Sequence, residues 1–136
     1  MMNKIIIMLT LVFIGVSCSV SKSITTEQLV SSSWKLKSIE GLNDEENLSF
    51  ANATLSFSMS DSSYSGNNGC NMISGNFSVS QDIVTFGEGL STRKFCQGVN
   101  EQTFNNILIS TNRMQIKKDI LILFKNDIKL AEFTKE

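Results

Sequence analysis

Gly75-Asn76-Phe77-Ser78-Val79-Ser80-Gln81-Asp82-Ile83-Val84-Thr85-Phe86, residues 75–86, decides the fold class. Phe77 and Val79 alternate with Ser78 and Ser80, and Val84 and Phe86 flank Thr85, which is the period of a half-buried strand. Ser80-Gln81-Asp82 between the two runs is polar and of hairpin length. Two strands around Gly75 to Val79 and Ile83 to Phe86 are therefore predicted to pair antiparallel.

Moving outward, the same rhythm recurs on both sides. Trp34 and Leu36 oppose Lys35 and Lys37, and Leu55, Phe57 and Met59 alternate with Ser56, Ser58 and Ser60. Toward the end, Met114 to Lys117, Ile120 to Phe124 and Ile128 to Phe133 are separated by Lys118-Asp119 and Lys125-Asn126-Asp127, the pattern of a three-stranded meander. One segment changes period. Phe104, Ile107, Leu108 and Thr111 fall at helical spacing, with Asn100 placed to cap and Glu101 near the positive end, so a helix is expected over about 101–111. Thr25 and Gln28 have the spacing of a capping box, which predicts a turn of helix before Ser31. The expected class is α+β, mainly β: a curled antiparallel sheet or partly open small β-barrel with one packed helix. The aromatic residues, Phe95 among them, are assigned chiefly to the core.

The first eighteen residues have a different grammar. Lys4 is followed by Ile5 to Val16 without a charge, a basic head and a twelve-residue apolar stretch that reads as a signal peptide. As a helix this stretch rises about 18 Å, short of a hydrocarbon core of about 30 Å. Gly15-Val16-Ser17-Cys18 resembles the lipobox of bacterial lipoproteins, with Gly15 where Leu is commonest, and implies a diacylglyceryl thioether on Cys18. Ser19, rather than aspartate, then favours the outer membrane by the rule of that family. The expected organisation is a signal peptide at 1–17, a lipidated N-terminus and tether at 18–30, and one domain at 31–136.

With 12 Lys plus Arg against 13 Asp plus Glu, the net charge is -1, which gives no field to gather nucleic acid. Histidine is absent, and with it the commonest general base and metal ligand. Asp44-Glu45-Glu46 reads as an acidic turn rather than a calcium loop. Ser65-Gly66-Asn67-Asn68-Gly69-Cys70-Asn71 reads as a tight strand-to-strand turn, since it lacks the Lys and the following helix of a phosphate-binding loop.

With the strands laid out, Trp34 to Phe133 resembles the META-domain family of small bacterial envelope proteins, which includes a heat-inducible lipoprotein type associated with novobiocin resistance. The resemblance is carried by Trp34-Lys35-Leu36, Gly69-Cys70-Asn71 with Gly75-Asn76-Phe77, Ile83-Val84-Thr85-Phe86, Ser91-Thr92-Arg93-Lys94-Phe95-Cys96, Glu101 with Phe104, and the closing Leu121-Ile122-Leu123 and Leu130. Phe95 departs from the family, which often has a small residue before the cysteine. The resemblance implies a barrel-like domain with one packed helix and no established catalytic activity.

With Cys18 assigned to lipid, Cys70 and Cys96 are an even pair in an oxidising compartment and are expected to form a disulfide. A reactive thiol is the alternative, with Arg93 and Lys94 supplying charge; zinc would be two ligands short. The reading that results is a non-enzymatic envelope protein without cofactor or metal, tethered through Cys18, that binds an envelope protein or hydrophobic ligand and supports stress tolerance. A protease-inhibitor-like module presenting a disulfide-stiffened loop is the alternative. Catalysis would have to rest on Cys96, Arg93 and Glu101.

Overall fold

The computed structural model describes residues 24–136. The segment expected to be a signal peptide, Cys18 and the part of the expected tether through residue 23 lie outside the described residues.

Eight antiparallel strands run in sequence order and close on themselves: β1 (Trp34–Ile39), β2 (Thr54–Ser58), β3 (Ser63–Asn67), β4 (Met72–Ser80), β5 (Ile83–Ser91), β6 (Arg113–Lys117), β7 (Ile120–Lys125) and β8 (Ile128–Lys135). β1 meets β8 in the register Leu36↔Phe133 and closes the barrel. Closure is uneven. β4 and β5 pair over most of their nine residues each, but β5 meets β6 only at Ile83↔Arg113. The helix α3 (Glu101–Ser110) lies in the gap, burying Phe104 and Leu108. Two shorter helices, α1 (Thr26–Val30) and α2 (Asp44–Leu48), flank β1. Among the described residues no helix is long and apolar enough to cross a membrane.

Three hairpins close through two-residue connections bracketed by Ser80↔Ile83, Lys117↔Ile120 and Lys125↔Ile128. Each begins with a non-glycine residue at positive φ, namely Gln81, Lys118 and Asn126. Such a backbone matches the right-handed twist of paired strands and holds the register, at a small steric cost for each residue. Inward side chains fill the interior. Phe57, Phe77 and Phe86 pack with Tyr64 at one end, with Phe57 and Phe77 edge to face at 5.0 Å; Phe104 meets Phe133 at 6.1 Å. Trp34 is 1% exposed and donates from Nε1 to the carbonyl of Leu29, 2.9 Å away. Leu29 is itself fully buried, so α1 is part of the folded body.

The expected strand at Gly75–Val79 extends to Met72–Ser80 and that at Ile83–Phe86 to Ile83–Ser91, because pairing between long neighbours continues past the alternating apolar run. β3 is new: Ser63–Asn67 offers only Tyr64 to the core, too weak a pattern to register as a strand, and it takes the first three residues of the segment read as a turn. Asp44-Glu45-Glu46 is the first turn of α2, where Asn43 and Glu46 form a reciprocal capping box. Conversely, Thr25 caps nothing; its hydroxyl donates to the Gln28 side chain instead. Asn100 makes no side-chain cap either, and α3 ends at Ser110, with the Thr111 hydroxyl donating back to the Ile107 carbonyl. Met59 and Phe95, both assigned inward, are exposed, Phe95 to 88%.

On the outer wall, Glu132 sits between Lys129 at 3.0 Å and Lys37 at 3.1 Å. The hydrogen bond from Lys129, then that from Lys37, holds the Glu132 carboxyl below the ordinary value of 4.5 against the opposing effect of burial. A carboxyl lowered in the folded state adds stability that is present above its unfolded value and is lost as the pH falls through the folded one. Melting temperature is therefore expected to fall on acidification below about 4.5, with Glu132→Gln flattening that limb in thermal melts at a series of pH values. Because both lysines are largely exposed, the difference shrinks at high salt. Parallel wild-type and variant curves would remove the pair from the account.

Candidate functional site

Of seven residues taken from the segments that carry the family resemblance, Trp34, Gly69, Cys70, Asn71, Thr92, Arg93 and Cys96, six converge where β3 turns into β4 and β5 leaves the barrel. Gly69, Cys70 and Asn71 form the β3–β4 corner, and Thr92, Arg93 and Cys96 belong to the segment between β5 and α3. The seventh, Trp34, lies in β1 with Leu29 as its partner.

Asn71 is the centre of this corner. It is 2% exposed, and its amide is saturated: Nδ2 donates to the Lys94 carbonyl (2.8 Å) and to Glu101 Oε2 (2.7 Å), while Oδ1 accepts from Lys94 N (2.7 Å) and Thr92 Oγ1 (2.8 Å). That fills all four hydrogen-bonding positions of an asparagine side chain. Asn68, fully buried, works on the other side. Its Oδ1 accepts from Asn71 N (2.8 Å) and Cys70 N (3.3 Å), and its Nδ2 donates to the same Glu101 oxygen (3.0 Å). Two amides on the corner thus grip one carboxylate in the first turn of α3, where the helix dipole also favours negative charge. Gly69 has φ +104°, and a Cβ there would meet Phe50 and Val99 at 3.0 and 3.1 Å. Only glycine fits such a position without displacement.

Cys70 and Cys96 are joined as a disulfide with Cα atoms 5.7 Å apart. The sulfur bond and the Asn71 bonds to Lys94 secure the same loop, residues 92–100, at two adjacent points. Arg93, Lys94 and Phe95 are exposed on this loop. Asn68 was not singled out from the sequence; the signal was present in Asn67-Asn68-Gly69, but an asparagine beside glycine reads as a turn residue before it reads as a buried one. Among the described residues, no three Cys, Asp or Glu side chains gather as a metal-binding group.

Beside this hub runs a groove between the end of β5 and α3. One part, a cleft of about 260 Å³, is lined by Tyr64, Ile73, Gly89, Asn105, Leu108 and Ile109. It continues past Leu90 and Ser91 into a wider hollow of about 670 Å³ bordered by Arg93, Lys94, Phe95 and Val99. Leu90 is 80% and Ile109 59% exposed, so large apolar side chains stand in water on both banks. The inner wall is shaped by glycine: the Tyr64 ring lies over Gly75 and Gly89, where an added Cβ would come within 2.7 and 2.5 Å of it. Burial pushes the Tyr64 hydroxyl above its ordinary pKa, so it remains a neutral phenol at the floor of the cleft.

Comparison with known proteins adds the following. Two solved structures share the fold: the NMR structure of a protein from Burkholderia xenovorans, 21% identical, with 81% of this chain and 85% of that chain covered at a TM-score of 0.61, and the crystal structure of a DUF4847 family protein from Bacteroides vulgatus, 14% identical, covering 82% and 98% at 0.63. At these identities they speak to architecture alone. No curated protein matches the chain. The family model described as META domain matches residues 27–136, which takes in all but the first residue of α1, all eight strands and the whole hub; the chain belongs to the META-domain family.

Proposed function

We propose that this protein is a lipid-anchored module of the bacterial envelope that binds a partner protein in the groove between β5 and α3, without catalysing a reaction, and that it serves stress tolerance by that binding. The observation that carries the binding role is the groove itself. Leu90, Phe95 and Ile109 are all more than half exposed around a groove whose flanking loop is held by the disulfide and by Asn71. Contiguous exposed apolar surface on a soluble domain marks an interaction site. A rigid frame lowers the ordering cost of binding.

Two of the three groups that an enzymatic reading would require are engaged elsewhere. Cys96 is in the disulfide, and Glu101 accepts from two buried amides. The anchor rests on Cys18 and the apolar stretch before it. One acyl chain binds a bilayer only marginally, whereas two or more hold firmly.

Two measurements test this reading. Labelled palmitate should enter the wild-type chain and be absent from Cys18→Ala. A photo-crosslinking amino acid at Leu90 in intact envelopes should give discrete adducts, whereas the same probe at Leu48, 72% exposed on α2, should not. Equal labelling from both positions removes the groove from consideration.

A second reading, protease inhibition, is favoured by one specific observation. Phe95, 88% exposed, sits between the bonded backbone of Lys94 and the disulfide at Cys96, as a bait residue on a stiffened loop would. A panel of proteases with chymotrypsin-like preference should be slowed at micromolar protein and released by Phe95→Ala; an unslowed panel eliminates this reading.

A further inference from the structure

The binding groove also defines the form of what it binds. β5 runs nine residues, yet its outer edge has a strand partner only at its start: Ile83 faces Arg113, and Val84 N donates to the Asn112 carbonyl. Beyond Thr85 no strand pairs with this edge, and a groove separates its last residues from α3. Residues Glu88 to Ser91 are all exposed along that side.

The phase of the ladder tells which backbone groups are free. Thr92 N donates to the Met72 carbonyl, so the Thr92 and Met72 backbones face each other. In an antiparallel ladder facing and averted residues alternate, so Ser91 and Gly89, opposite Ile73 and Gly75, turn their N–H and C=O groups away from β4 toward the groove. Such a row of backbone donors and acceptors is a template for another extended chain.

Side chains on both faces of this edge suit the same occupant. Ser91 and Gly89 share the inner face with Ile73 and Tyr64, across from Leu108 and Ile109. Leu90, paired with Ser74, shares the outer face with Met72, which is 59% exposed. A strand laid along the edge would place alternate side chains in the inner cleft and against Leu90. Glu88 lines the inner cleft, and Arg93 and Lys94 line the wider hollow together with Glu101, whose carboxylate is already held by Asn68 and Asn71.

We propose that the groove receives an extended peptide segment of a partner protein, added as a further strand to the free edge of β5 between Gly89 and Ser91, with apolar residues at alternate positions and a carboxylate set against Arg93 and Lys94. This rests on the binding role proposed above and adds its mode. Strand addition draws affinity from main-chain hydrogen bonds and selectivity from pockets for alternate side chains. A partner helix keeps its main-chain groups for itself and cannot pair with this edge.

The test uses the 15N-labelled full chain in detergent micelles and a blocked octapeptide, Lys-Thr-Val-Thr-Val-Thr-Val-Glu. Titration should shift the amide signals of Gly89 and Ser91 ahead of those on β7 and β8. Methylating alternate backbone nitrogens of the peptide, on the edge that would face β5, should weaken binding at least tenfold. Replacing its glutamate by glutamine, or the protein's Arg93 and Lys94 together by glutamate, should weaken it severalfold, with the melting temperature of that variant recorded to show that it folds. No shift at millimolar peptide overturns the proposal. Equal binding of the methylated peptide, with discrete crosslinks still forming from Leu90, overturns strand addition while leaving the binding role standing.

Discussion

Replacing Cys70 and Cys96 together by alanine is expected to lower the free energy of unfolding by about 3.5 kcal/mol, since the chain-entropy model assigns that amount to a closed loop of this length. The bridge spans a sequence separation of 26, most of it the β4–β5 hairpin. That hairpin is held by its own ladder, so the folded state without the bridge keeps β4 paired to β5. The loss falls on the unfolded chain, which gains freedom, and on loop 92–100, which keeps the bonds of Asn71 to Lys94 and Thr92 and those between Thr92 and Met72. Denaturant melts with and without a reductant check both parts. The wild-type midpoint should drop on reduction and the double variant should be indifferent to it. Hydrogen exchange should accelerate first between residues 92 and 100. A variant as stable as the oxidised wild type would show that the hairpin and Asn71 already fix this corner unaided.

Much of the barrel was legible because its strands bury one face and wet the other. Trp34 with Leu36, Leu55 with Phe57, and Phe77 with Val79 each alternate against serine or lysine, and period two has few other physical meanings. β3 was not legible. Its inward positions are Tyr64 and Gly66; at Gly66 an added Cβ would run into the Thr54 backbone, and glycine carries no hydropathy signal. Closure itself was only partly readable, since pairing β1 with β8 depends on curvature accumulated over eight strands and no local pattern encodes that.

The hub divides in the same way. Two cysteines left after Cys18 led directly to the disulfide, because parity and compartment suffice for that argument. The burial of Asn68 and Asn71 could not be read, because asparagine is ordinarily exposed and becomes an interior residue only when its partners arrive from distant segments. Those partners, Lys94 and Glu101, are 23 and 30 residues away from Asn71 in sequence. Phe95 was placed in the core on residue type alone, yet tertiary structure put it on a loop with no sheet or helix face to bury it. Its exposure, beside Leu90, supports the binding role proposed above, and hydropathy obscured it.

Asn71→Ala is expected to cost about 3 to 4 kcal/mol, chiefly because partners in part-buried bonds are left unpaired, at about 1 to 3 kcal/mol for each group that water does not reach. Lys94 would lose the bonds to both its N–H and its carbonyl, Thr92 its acceptor, and Glu101 one of two donors. The isosteric Asn71→Asp separates hydrogen bonding from packing. It keeps the volume and both acceptor bonds to Oδ1, but it sets a second carboxylate 2.7 Å from Glu101 and an acceptor 2.8 Å from the Lys94 carbonyl, where a donor had been. Like charges at that distance disfavour ionisation of both. Asn71→Asp should therefore be at least as unstable as Asn71→Ala at neutral pH and should recover as the pH falls, because a protonated acid restores one donor. The sign follows from linkage: a carboxyl raised by folding removes stability above its unfolded pKa, and that loss is relieved on acidification. Wild-type protein moves the opposite way over the same range through Glu132, so the two melting curves should converge as the medium becomes acidic. Curves that stay parallel would mean that Asn71 fills space in this corner and does not hold it through its bonds.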